Sequence, residues 1–302
     1  MRTWVRAAAT GSAGLAVALL VAALLAGALL IGAPARADTL RIDTREGLRQ
    51  AIVVPAGPGP APTVIVLHGA LDTAGGAARR FGFAEAAAAR GFAAVFPQSI
   101  GVQWNHGGRG LSSRADDVAF LHLLVGELVA ERIARPDRIY IAGVSSGGMM
   151  ALRMICEAAE LFAGAGTVIA SMPSGAECRP ARPVPVVMFN GTADPIVPYH
   201  GGGVGPLNLG GFVWPAERTA EFLAQVNGCD PQPARHDASL GIRSVTRVAW
   251  SRCERDASVT LYRVNGGHHS VLGRRRILTA LLGRRHDELS AAETIMAAFA
   301  GE

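Results

Sequence analysis

Lysine is absent from the 302-residue chain, so its 29 basic residues are all arginine. The formal charge of +5 therefore reflects a compositional bias rather than a mixed basic surface. Three arginines (Arg2, Arg6 and Arg36) lie in an N-terminal stretch that has no acid, so the rest of the chain carries only +2. That balance argues against a nucleic-acid partner, which needs a clustered basic face. The spacing C-x-x-C is also missing: the four cysteines, Cys156, Cys178, Cys229 and Cys253, stand far apart, against a zinc site. No cysteine lies near the end of the N-terminal stretch, which argues against a lipoprotein anchor. Internal repeats and charge-block tails are absent too, apart from one arginine-rich segment, Arg274 to Arg285, read as a solvated loop or helix face.

What is there begins with a leader. Arg2 and Arg6 precede an uncharged run from Ala7 to Ala35, and Ala35-Arg36-Ala37 before Asp38 has the small-x-small form of a cleavage site. Residues 1–37 are therefore expected to be a secretory signal, the alternative being a retained membrane anchor because the run is long. Residues 38–302 are then expected to form one domain, secreted or held in the periplasm or cell envelope. An even number of cysteines in the exported part agrees with two disulfides. Of three possible connectivities the sequential one, Cys156 with Cys178 and Cys229 with Cys253, is expected because each pair flanks one local excursion.

The central stretch is Arg138 to Met149. A β-rich run ends in Gly143, the pentad Gly143-Val144-Ser145-Ser146-Gly147 follows, and apolar residues then recur at helical spacing through Met150, Met154 and Ile155. Strand, sharp turn and helix in that order present the hydroxyl of the middle residue clear of the backbone, which makes Ser145 the candidate nucleophile. Ser146 is a poor rival, since its own pentad would begin with Val144.

Elsewhere strands and helices alternate. Gln50 to Val54 and Thr63 to Leu67 read as strands joined by a proline-rich loop, an alanine-rich helix is expected from about Ala77 to Arg90, and Phe92 to Phe96 is a strand closed by Pro97. Ser113 stands at capping-box spacing before a helix running to the Pro136 stop. Val184 to Phe189 and Val259 to Val264 are strands, Pro215 to Asn227 a helix, Ile242 to Trp250 a β-prone region, and Ser290 to Ala300 the last helix. This pattern predicts the α/β class, with a mostly parallel central sheet, helices on both faces, and sites at the carboxyl ends of the strands.

A serine needs a base, and the base needs an orienting acid. Asp194 follows the strand ending at Phe189, and His268 follows Gly266-Gly267 after the strand ending at Val264. The order Ser145, Asp194, His268 is that of the α/β-hydrolase fold. His268 is preferred over His269, His236 and His200 because of the two glycines before it, although His269 is its immediate neighbour. Asp116 and Asp117 precede Ser145 and are accounted for by helix capping and dipole effects. The oxyanion donors are expected to be the N–H of Ser146 and that of Ala70, in the turn His68-Gly69-Ala70 after a buried strand. His68 then has a structural role.

The segments Leu67-His68-Gly69, Trp104-Asn105, Asp116-Asp117-Val118, Gly143-Val144-Ser145, Gly191-Thr192-Ala193-Asp194-Pro195, Val197-Pro198-Tyr199, Asn227-Gly228-Cys229 and Gly266-Gly267-His268 occur in the order seen in a known group. The chain resembles the secreted polyhydroxybutyrate depolymerase and feruloyl esterase-like α/β-hydrolases from about Leu67 to its end. The resemblance implies a serine esterase with Ser145, Asp194 and His268 on the triad positions, substrate-facing places for Trp104 and Tyr199, no metal or other cofactor, and a Cys229–Cys253 bond. Its partners would be small or polymeric esters, with no membrane partner unless the leader is retained. Asn190 stands where the group often has His, and Ser270-Val271-Leu272-Gly273 replaces Trp-Pro-Gly, so polymer or feruloyl specificity does not follow. A peptidase of the same fold and a non-catalytic cell-envelope binding protein are the alternatives.

Overall fold

Val64-Ile65-Val66-Leu67 has no polar alternation, and all four residues are wholly buried in a computed structural model that describes residues 37–108, 110, 113–240, 243–270 and 289–302. The leader up to Arg36, Ile242 and the segment Arg274 to Arg285 lie outside the described residues.

In chain order the elements are β1 (Asp38–Thr44), β2 (Gly47–Val54), β3 (Ala61–Leu67), α1 (Ala74–Arg80), α2 (Phe83–Ala88), β4 (Ala93–Pro97), α3 (Asp117–Ala130), β5 (Ala134–Val144), α4 (Ser146–Glu157), β6 (Gly164–Val168), β7 (Val186–Gly191), β8 (Gly202–Gly203), β9 (Phe212–Val213), α5 (Ala216–Val226), β10 (Ala234–Leu240), β11 (Arg243–Trp250), β12 (Val259–Val264) and α6 (Ala291–Ala300). Ten strands form one sheet in the order β1-β2-β4-β3-β5-β6-β7-β12-β11-β10. From β4 to β12 neighbouring strands run parallel, whereas β1, β2, β10 and β11 extend the edges antiparallel.

The two-residue period of the strands divides the core. Ile65 and Leu67 join one cluster with α3, α4 and α5, while Val64 and Val66 join a second with α1, α2 and α6. Helices thus cover both faces, and the carboxyl ends of β3, β5, β7 and β12 open on one edge. No helix among the described residues is long and apolar enough to cross a membrane.

Several expectations are corrected. The single helix expected over Ala77 to Arg90 is two short helices, broken at Gly82 with φ +78°. That left-handed residue lets Phe81 and Phe83 both turn into the core. Ser113 is not the cap of α3: its Oγ accepts from the Ala115 N–H at 3.0 Å, and Asp116 caps the helix by accepting from Ala119. The helix ends at Ala130, and Pro136 lies instead in the first part of β5. β1, β6, β8, β9 and β10 lie outside the expected strands. In β6 glycine replaces β-branched residues because α6 lies directly against it: a Cβ on Gly164 would sit 3.2 Å from the Tyr140 ring and 3.4 Å from Phe299, and one on Gly166 would strike Ile295.

Candidate active site

Ser145 occupies the turn between β5 and α4 with φ 54° and ψ −120°, a backbone region that side chains rarely adopt. Close packing imposes the glycines around it. A Cβ on Gly143 would run into the Gly147 carbonyl, and one on Gly147 into the Leu67 and His68 carbonyls at the end of β3. The Ser145 N–H is held by the Val168 carbonyl at 2.9 Å, and its carbonyl accepts the Met149 N–H at 3.0 Å as α4 begins.

The loops after β7 and β12 are bonded to each other before either reaches Ser145. Thr192 N–H donates to the Val264 carbonyl at 3.0 Å, Ala193 N–H to the Gly267 carbonyl at 2.9 Å, and Gly266 N–H to Thr192 Oγ1 at 2.9 Å. Gly191 and Gly267 face each other so closely that a Cβ on Gly267 would lie 3.0 Å from the Gly191 Cα. Asp194 is buried, and its Oδ1 accepts the N–H groups of Ile196 and Val197 at 2.8 and 2.9 Å.

The histidine brought to Asp194 is His269, not the expected His268. His269 Nδ1 lies 2.8 Å from Asp194 Oδ2, and Nε2 lies 3.1 Å from Ser145 Oγ. Since a carboxylate only accepts, Nδ1 carries the proton and Nε2 is left free to take one from the serine. The reason is the pinned turn. Once Gly267 is fixed against the acid loop, neighbouring residues diverge: His268 is exposed and lies beside Gly267 and Ser270, while His269 is half-buried between Asp194 and Ser145.

Ala70 and Ser146 lie beside Ser145. Ser146 is the first residue of α4 and has no carbonyl one turn back for its N–H. A Cβ on Gly69 would stand 3.6 Å from the Ser145 Cβ, so the turn carrying Ala70 abuts the serine. Neither backbone N–H has a hydrogen-bond partner among the described residues.

A putative esterase, NocK, of Nocardia uniformis subsp. tsuyamanensis is 32% identical over 256 residues, covering 80% of this chain and 74% of that one. The chain belongs to the feruloyl esterase and polyhydroxybutyrate depolymerase-like esterases of the α/β-hydrolase superfamily. Feruloyl esterase B of Piromyces equi is 30% identical over 180 residues, 57% of this chain but 32% of that one. A poly(3-hydroxybutyrate) depolymerase of Ralstonia pickettii is 33% identical over 130 residues, 39% of this chain and 26% of that one. Among solved structures, the acetyl xylan esterase from Aspergillus awamori matches with TM-score 0.52 and 16% identity over 78% of this chain and 94% of that one, a likeness of fold. No family model matches.

In this esterase Trp104 and Tyr199 do not line an open substrate wall as expected. Trp104 is wholly buried, and its Nε1–H donates to the His68 carbonyl at 2.9 Å. It therefore fixes the start of the turn that carries Ala70. Tyr199 is 4% exposed, and its hydroxyl donates to Glu217 at 3.0 Å; burial pushes its pKa up. His68 is structural, as its position suggested: Nδ1–H donates to the Gly69 carbonyl at 2.8 Å, and Nε2 accepts from the Ser99 N–H at 3.2 Å. Burial holds its pKa below the ordinary value, which keeps the neutral tautomer that both bonds need.

Sequence reasoning missed a buried ion pair behind that turn. Asp117 is more than a helix-terminal acid: it meets Arg49 at 2.7 Å with both side chains almost fully buried, and accepts the Asn105 N–H at 2.7 Å. The Arg49 guanidinium also donates to the Gln98 carbonyl at 3.0 Å and lies 3.6 Å above the Phe120 ring. Burial pushes the Asp117 carboxyl up, opposed by the Asn105 N–H and Arg49. Only the strand register of Arg49, on the inward face with Ala51 and Val53 while Leu48 and Gln50 face out, signals it.

Asn190, standing where the group often has His, is buried and donates to the Ala170 carbonyl at 3.0 Å, tying β7 to the segment after β6. Cys156 is bonded to Cys178 and Cys229 to Cys253. Among the described residues no group of three or more His, Cys, Asp or Glu could hold a metal ion.

Proposed function

We propose that this chain hydrolyses carboxylic esters through an acyl-enzyme on Ser145, with His269 as base and then acid, Asp194 as the group that orients it, and the N–H groups of Ala70 and Ser146 as oxyanion donors. The observation that carries the reading is the relay of 2.8 and 3.1 Å from Asp194 through His269 to Ser145. As the Ser145 oxygen attacks the ester carbonyl, its proton passes to His269 Nε2, and the ring's charge develops beside Asp194. The carbonyl oxygen becomes an oxyanion between Ala70 and Ser146. Collapse breaks the bond to the alcohol, which leaves with the proton from His269. Water then gives a proton to the same nitrogen and attacks the acyl carbon. The second collapse releases the carboxylic acid and returns the proton to Ser145.

The relatives' names suggest feruloyl, acetyl or 3-hydroxybutyryl esters as the substrate range. Residues 38–302 are the catalytic domain and residues 1–37 a secretory signal; the two disulfides support export. Kinetics on these three ester types with wild type and Ser145→Ala tests the reading. It predicts turnover of at least one type by the wild type and loss of that turnover in the variant; activity retained by Ser145→Ala contradicts it. Intact-mass measurement of the exported protein should find Asp38 at its start.

A further inference from the structure

Leu71 is the residue after the Ala70 oxyanion donor, and it combines two unfavourable features. Its φ is 59°, the left-handed region that favours glycine, and it is 86% exposed. The turn itself explains the backbone: Asp72 N–H bonds to the Gly69 carbonyl at 3.3 Å and Leu71 N–H to the Val102 carbonyl at 2.7 Å. Glycine would satisfy both bonds without strain, so nothing in the fold accounts for a leucine side chain there.

The surroundings give the side chain a use. Among the described residues, six of the eight exposed large hydrophobics (Leu71, Ile100, Val102, Leu207, Leu209 and Phe212) lie in the segments after β3, β4 and β7. Those segments leave the sheet on the same edge as Ser145. Val102, which accepts the Leu71 N–H, is itself 57% exposed. On that edge Leu71 and Leu207 both hold left-handed backbone while exposed, and Leu71 is the one next to an oxyanion donor, placed to meet an apolar group rather than water.

We infer that Leu71 is a specificity-determining residue that packs against the apolar portion of the ester while its carbonyl oxygen sits at Ala70. The inference rests on the esterase reading above. Contact with a growing chain adds binding that a short acyl group cannot collect, so Leu71 favours esters with extended apolar acyl or alcohol groups over acetate.

The test compares wild type, Leu71→Gly, Leu71→Asn and a control, Leu123→Ala, which trims an exposed leucine on α3. Each is assayed on p-nitrophenyl esters from acetate to octanoate and on acetates of alcohols of increasing length, with thermal unfolding alongside. Gly and Asn both accept the left-handed backbone, so both variants should melt at or above the wild-type temperature. Their kcat/KM should stay within about two-fold on the shortest ester and fall by roughly ten-fold on the longest member of at least one series. Leu123→Ala should follow wild type throughout. An equal loss at every length, or no loss at any length in either series, overturns the inference. Absence of wild-type turnover on every ester would instead sink the esterase reading.

Discussion

Replacing each of two adjacent histidines separates the proposed site from its nearest alternative. In His269→Ala the serine loses the acceptor 3.1 Å from its oxygen, and Asp194 loses its partner at 2.8 Å. Loss of the base in a serine hydrolase triad lowers kcat by about 10⁴ to 10⁶, equivalent to roughly 5–8 kcal/mol of transition-state stabilisation. Oxyanion donors and binding should leave activity roughly 10³-fold above the uncatalysed reaction. His268 is exposed and the hydrogen bonds to Asp194 and Ser145 are made by His269, so His268→Ala should change kcat by less than about three-fold, under ~0.7 kcal/mol. Initial rates on p-nitrophenyl acetate, with circular dichroism to establish folding, suffice. An inactive His268→Ala, or a folded His269→Ala with more than about one-hundredth of wild-type kcat, would refute the assignment.

Trp104→Phe should leave the buried His68 carbonyl without its donor, destabilise the fold by about 1–3 kcal/mol and lower kcat more than it raises KM; chemical denaturation and steady-state kinetics check both. Removing the Cys229–Cys253 bond by a double Ser substitution opens a link of sequence separation 24 and should cost about 3 kcal/mol, read as a lower urea midpoint. Burial, with Arg153 nearby, holds His106 at about 4 against an ordinary 6.5, so the unfolded chain binds protons in that window while the folded chain does not. Stability should therefore fall as pH drops from about 6.5 to about 4, by roughly 2–3 kcal/mol for this group, with His68 adding in the same direction; His106→Gln should flatten the profile of melting temperature against pH.

Most of the fold could be read from the chain because its parallel strands are continuous apolar runs and its turns carry glycine and proline. β12 spans Val259–Val264 as expected, and α5 and α6 fall within a residue of their expected bounds. What escaped was decided by packing across the chain. Gly-Ala-Gly-Thr-Val is a poor strand by composition, yet Tyr140, Phe299 and Ile295 require those glycines against β6. Gly82 breaks an alanine-rich helix because two phenylalanines flanking it both reach the core.

The site divides in the same way. The strand-turn-helix around Ser145 and the loop position of Asp194 follow from local sequence. Which of His268 and His269 faces them depends on the bonding of Gly266 and Gly267 to the acid loop, a contact between distant segments. The resemblance alone places Trp104 and Tyr199 facing substrate, whereas their polar atoms bond inward, to His68 and Glu217.

The central claim is that Ser145 is an activated nucleophile, and covalent labelling with a fluorophosphonate followed by peptide mapping tests it most directly. The account predicts one adduct, on Ser145, absent from Ser145→Ala and strongly slowed in His269→Ala but not in His268→Ala. A folded, disulfide-bonded wild type that takes up no label, or takes it elsewhere, would contradict it.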